Sequence, residues 1–172
     1  MPNYYPQVIP LAPEDAMFGL ATHKVVITAA MLAGLGAGAT LTLQLFPAQT
    51  PSQFAAGTAP TGTNPVGLIA RFAGMHLVTA FDFSDSSINS LLAEIGDGGD
   101  TDRLMTQKQL AVDGTEVLEW AEAATTQPYA YPIVDTIDLL LTAAGGGDPT
   151  VQEATSGEVE FYLHLSRPAT RA

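Results

Sequence analysis

Short apolar–polar alternations, each stopped by a cluster of Gly, Pro, Asp or Ser, constrain this chain more than any other feature. In residues 75–105, MHLVTAFDFSDSSINSLLAEIGDGGDTDRLM, the side chains of Leu77, Thr79, Phe81 and Phe83 share one face. Those of His76, Val78, Ala80 and Asp82 share the other. Successive side chains of an extended chain point to opposite sides, so period-two spacing marks a half-buried strand. Ser84, Asp85, Ser86 and Ser87 supply a turn, since short polar side chains bond the backbone locally. Residues 88–95 form the next strand, and Gly96-Asp97-Gly98-Gly99-Asp100 ends it, because glycine tolerates positive φ. Residues 158–165 alternate most cleanly, with Val159, Phe161, Leu163 and Leu165 inward and Glu158, Glu160, Tyr162 and His164 outward.

The same reasoning predicts strands over 23–31 (Val25, Ile27, Ala29 and Met31 on one face) and 39–46. In the latter, Leu41, Leu43 and Leu45 point inward and Thr40, Thr42 and Gln44 outward. The Gly-rich turn at 35–38 joins these two as a hairpin. Further strands are expected over 68–72, 102–105, 109–112, 116–121 and 135–142, with Asp113-Gly114 as a second hairpin signal. Residues 118–124 allow at most a short helix. Some nine or ten short strands without helical periodicity predict an all-β fold, an antiparallel β-sandwich of jelly-roll-like form.

Two segments stand apart. Residues 1–22 are read as an extended N-terminal arm, since Pro2, Pro6, Pro10 and Pro13 block helix while Tyr4, Tyr5, Val8, Ile9 and Leu11 offer surface to bury. Such an arm is either a loose tail or a strap across a neighbour. Residues 23–172 then form the β-sandwich domain. It contains a long uncharged loop at 47–67, with Phe54 as its one large apolar group, that is either a contact loop or a plain excursion.

Charge and composition exclude several function classes. A chain with 18 acids and 6 bases, net −12, is poorly suited to nucleic acid, which is bound by displacing counterions with Lys and Arg. The absence of cysteine removes disulfides, thiol catalysis and Cys-ligated metal. No basic start with an apolar run marks a cleaved signal, and the longest apolar run, 25–39, is too short to span a bilayer. A protein without membrane segments is expected.

Chemistry is sparse. Asp97, Asp100 and Asp102 on a Gly-rich loop are the weak candidates for a metal, because Ca²⁺ takes six to eight oxygens, but Asp and Gly are also ordinary turn residues. His23, His76 and His164 sit singly on strands, and the acid pairs Glu158/Glu160, Glu116/Glu119 and Asp135/Asp138 read as solvated surface. No catalytic residue and no cofactor are expected, and the chain is read as no enzyme. Tyr4, Tyr5, Tyr129 and Tyr131 lie in Pro-containing segments and, with Val8, Ile9 and Phe54, are the expected partner-contact residues. Tyrosines beside prolines also pack over loops, which is the competing reading.

The segments IGDGGDTDRLM (95–105), LAVDGTEV (110–117), YAYPIVDTIDLLLTAAGGG (129–147) and SGEVEFYLHL (156–165) together resemble a family of tailed-bacteriophage virion proteins. The likeness covers about residues 70–165 and rests on turn and strand patterns. It implies a β-sandwich subunit of the phage head, of the capsid decoration or cement type, made in the host cytoplasm and carried in the virion. The implied partners are the major capsid protein and copies of the chain itself, as dimer or trimer. A neck, tail or fibre component and a glycan-binding β-sandwich module are the alternatives.

Overall fold

The computed structural model describes residues 7–11, 21–35, 38–46, 68–111, 117–120, 128–133 and 135–166. In chain order the strands are β1 (Gln7–Pro10), β2 (His23–Thr28), β3 (Thr40–Phe46), β4 (Ile69–Phe83), β5 (Ile88–Asp97), β6 (Asp100–Gln109), β7 (Val117–Trp120), β8 (Tyr129–Ala130), β9 (Ile137–Gly145) and β10 (Ala154–Ser166). They form two antiparallel sheets. The first has the order β1-β2-β10-β4-β7, with β8 also paired to β4, and the second has the order β3-β9-β5-β6. The protein is therefore an all-β sandwich, as the alternation predicts.

The inward faces meet in one core. The first sheet contributes Val25, Ile27, Phe72, Leu77, Phe161 and Leu163, and the second Leu43, Leu91, Ile95, Leu104, Leu139 and Leu141. Each such side chain removed from water contributes about 1.5–3 kcal/mol. Counted outward from the turn at Gly98 and Gly99, the pairs are nested: β5 with β6, β4 with β7, β3 with β9, and β2 with β10. The chain is folded in half at that turn and the doubled ribbon is wrapped into two layers.

Nesting overturns two hairpin expectations. β2 and β3 lie in opposite sheets, so the Gly-rich turn at 35–38 does not join a hairpin. The end of the expected first strand is instead the short helix α1 (Ala29–Leu32), capped by Thr28, whose Oγ1 accepts from Met31 N at 3.4 Å. Ala, Met and Leu favour helix, and a hydroxyl at the cap fills an orphan backbone donor. Likewise, β6 and β7 belong to different sheets, so the strands around Asp113-Gly114 do not pair. Those two residues themselves lie outside the described ones.

β4 is longer than expected. The predicted strands at 68–72 and 75–83 are one strand, continuous through the buried Gly74. β6 is likewise one strand over the expected 102–105 segment. A register shift between Glu158/Thr79 and Val159/Leu77 marks a β-bulge. It turns Thr79 outward, against the simple alternation, and Thr79 is exposed.

One end of the sandwich is closed by backbone bonds between turns. Ser84 N donates to Glu153 O at 2.9 Å, Gly146 N to Ser87 O at 3.0 Å and Val151 N to Gly38 O at 3.0 Å. The opposite end holds the Gly98–Gly99 turn, the β8–β9 connection and the last residues of β10, since Ser166 pairs with Ile69 and Ile69 with Ala130.

Candidate functional surfaces

At that opposite end the β5–β6 turn is built around a buried carboxylate. Asp97 Oδ1 accepts from Gly99 N at 3.0 Å and Asp100 N at 2.9 Å. Oδ2 accepts from Arg103 Nε, and Arg103 Nη2 lies 3.7 Å from Asp100 Oδ2. The register explains how Arg103 reaches back: Ile95 pairs with Met105 and Asp97 with Asp100, so residues 101–104 lie opposite Gly96 alone. This wide bulge brings backbone across Gly96, where a Cβ would sit 2.0 Å from Asp100 O. Only glycine fits there.

Arg103 also ties the turn to the other sheet. Its guanidinium lies 4.3 Å from the Tyr129 ring centroid, a cation–π contact. Tyr129 meets Tyr131 edge to face, with centroids 4.9 Å apart. Tyr131 is 1% exposed, and its hydroxyl has no hydrogen-bond partner among the described residues. Burial, then the nearby charges of Asp97 and Asp135, push its hydroxyl pKa well above the usual tyrosine value. Burial also raises the carboxyl pKa of Asp138, even though its Oδ2 accepts from Thr136 Oγ1 at 2.7 Å.

The second surface is the outer face of the first sheet. Register places Lys24 opposite Tyr162 and Glu160 opposite His76. Lys24 Nζ donates to Glu160 Oε1 at 2.7 Å, Tyr162 Oη to Glu160 Oε2 at 2.6 Å, and His76 Nδ1 lies 3.5 Å from the same oxygen. Burial opposes the charge on Glu160, but the bonds from Lys24 and Tyr162 and the neighbouring Lys24 and His76 outweigh it. The carboxyl pKa therefore lies below its usual value. A groove of about 580 Å³ runs over this network, with Ile9, Pro10 and Leu11 along one side and Val78 and Glu158 among its other lining residues. Tyr162, expected to face solvent, does lie on the outer side but is 3% exposed, because Leu11, Ala21 and Ala73 pack around it.

Of the residues singled out from sequence, Asp97, Asp100, Tyr129 and Tyr131 meet around Arg103, while Ile9 lies apart, along the groove on the first sheet. Asp97 is buried and engaged on both oxygens, while Asp100 stands beside it and Asp102 is exposed. The hydrogen bond that Asp102 shares with Asp100, partial burial, and the charges of Asp100 and Glu94 raise its carboxyl pKa. Among the described residues no three His, Asp or Glu are grouped to hold a metal ion, and no helix is long and apolar enough to cross a membrane. Tyr131 was expected to be exposed and is instead a core residue: its N donates to Leu68 O, continuing the β8–β4 pairing, and its ring packs edge to face with Tyr129. Tyr129 is half-buried beneath Arg103, and Ile9 is half-buried along the groove. Val8 is placed by its backbone in β1, whereas Tyr4, Tyr5, Phe54 and the loop at 47–67 lie outside the described residues. Sequence reasoning missed Arg103; the signal was a lone cation within a run of four acids and glycines. It also missed Ile133, which is 65% exposed after Pro132.

These features define the class of protein as a two-sheet antiparallel β-sandwich with a salt-bridged turn and a groove of mixed polar and apolar lining on one outer face. Comparison with models of known protein families, with curated proteins and with solved structures gave no match.

Proposed function

We propose that the chain is a structural protein of a tailed-phage particle, of the capsid decoration type, which binds between major capsid subunits and stabilises the head. The observation that carries this reading is the nested strand order. β2-β10-β4-β7 facing β3-β9-β5-β6 supports reading the sandwich as a jelly roll, an architecture recurrent among capsid proteins and lectins. Fold-level likeness is associational support. The sequence resemblance to virion proteins and the strongly acidic, cysteine-free composition agree with it. A subunit that binds only the assembled shell stabilises that shell by mass action.

The test is sedimentation of the purified protein with empty phage heads that lack a decoration protein. Saturable co-sedimentation, with heads surviving higher temperature, is the expected result; absence of binding sinks the reading. The groove over Lys24, Glu160 and Tyr162 favours a second reading, a glycan-binding module. Chemical-shift changes confined to these residues on titration with oligosaccharides would select it.

A further inference from the structure

We propose that the edge of β2 opposite β10, with the pocket formed by Ala21, Ala73 and Tyr162, is a receptor for an extended strand, and that two copies of this chain exchange residues 7–11 through it. In the structure the receptor is filled by the chain's own β1. Gln7, Val8, Ile9 and Pro10 pair with Val26, Val25, Lys24 and His23, and Leu11 N donates to Thr22 O at 2.8 Å. Leu11 then packs with Ala21, Ala73 and Tyr162 in a small cluster separate from the sandwich core. The strand thus adds a four-residue ladder and, through Leu11, an apolar plug in a cluster apart from the sandwich core.

Three observations favour a second copy as the exchanging partner. Nine residues, 12–20, join the docked strand to Ala21. Extended, they reach on the order of 30 Å, so the same ladder forms whichever copy supplies the strand. Residues 1–13 carry no acidic or basic side chain, so this segment approaches a neighbour of net charge −12 with little repulsion. Finally, the sequence places proline at 2, 6, 10 and 13, and the proline ring narrows the φ values a chain can sample, which lowers the entropy lost on binding.

The inference deepens the self-association that the sequence resemblance implies, but its test uses the isolated protein, so failure leaves capsid binding untouched. The chain has no native cysteine, which permits disulfide trapping between full-length variants. Gln7→Cys is mixed with Val26→Cys, its register partner, and oxidised over a range of concentrations. The expected result is a mixed covalent dimer whose yield rises with concentration and which Leu11→Asp in the arm-donating variant abolishes. A mixture that never cross-links overturns the proposal. So does one that cross-links equally with a control cysteine at Thr42 on β3. Deleting residues 12–20 gives an independent reading, because Leu11 then adjoins Ala21 with no residue left to reverse direction. That variant is expected to sediment as a dimer or larger, and a folded monomer contradicts exchange.

Discussion

At the scale of single residues, the Gly98–Gly99 end depends on two positions. Gly96 lies under the wide bulge of β6, and an added methyl meets Asp100 O at 2.0 Å and Thr101 O at 2.6 Å. Both are backbone atoms, which cannot swing aside as a side-chain tip can. Gly96→Ala is expected to lower the urea-unfolding free energy by about 3 kcal/mol or more, in the range of severe steric substitutions. Gly157 makes a parallel case, with φ +134 and the Phe81 ring 2.4 Å from its would-be Cβ. Arg103 is the other position. Its loss leaves the Asp97 carboxylate, 2% exposed, with only two backbone N–H partners. Arg103→Ala should cost about 3 kcal/mol, since breaking a buried pair strands a charge. Arg103→Lys should recover only part, because an ammonium lacks the planar face that stacks on Tyr129. Chemical denaturation of the three variants checks both statements.

At the scale of elements, β1, β2 and β10 meet at His23. Its Nδ1 lies 2.8 Å from Thr22 Oγ1, and that hydroxyl also accepts from Leu165 N at 2.8 Å. Burial, then the nearby His164, hold the imidazole pKa below its usual 6.5. As pH falls through about 6.5 the unfolded chain takes up this proton first, so stability declines until the folded imidazole protonates too. Glu160 adds a further loss at lower pH: its depressed carboxyl contributes stability above about 4.5 that disappears as pH falls through its folded value. The thermal midpoint should therefore drop between pH 7 and 5.5, and His23→Asn should flatten that slope. A wild-type midpoint unchanged over this interval would contradict the assignment.

Much of the element pattern was legible in the sequence, because β4, β5, β9 and β10 bury alternate side chains and period two records that directly. What was not legible was partner choice. A glycine-rich turn looks the same whether it joins neighbours in one sheet or carries the chain across to the other, so the β2–β3 connection read as a hairpin. Ala29 and Met31 fit a strand face and a helix turn equally well over four residues. Thr79 sits between two register shifts and is exposed, whereas Phe81 and Phe83 beyond the second shift are buried. Tyr131, between Ala130 and Pro132, carries no local sign of burial. Its ring is covered in a place set by long-range pairing, since β8 is laddered to β4 and Tyr131 N donates to Leu68 O.

At the scale of the whole molecule, net charge and topology set the behaviour. With 18 acids against 6 bases, self-repulsion acts against the compact state. Raising monovalent salt from low to physiological strength should raise the thermal midpoint, because screening over about 8–10 Å removes that repulsion. The short buried Arg103–Asp97 pair is screened much less. Differential scanning calorimetry across a salt series reads this directly, and a falling midpoint would show that surface ion pairs dominate instead.

The nested pairing also has a consequence for the order in which the protein is made. Among the described strands of residues 1–97, only β1 and β2 pair with each other; β3, β4 and β5 pair with strands that follow. The last strand, β10, is the one that lies between β2 and β4. A ribosome that has delivered residues 1–97 therefore presents apolar strands with almost nothing to pair to, and the first sheet closes only after residue 166 has emerged. The sandwich cannot close strand by strand as it is made, and until β10 arrives the growing chain depends on its own acidity, or on a chaperone, to stay apart from its neighbours.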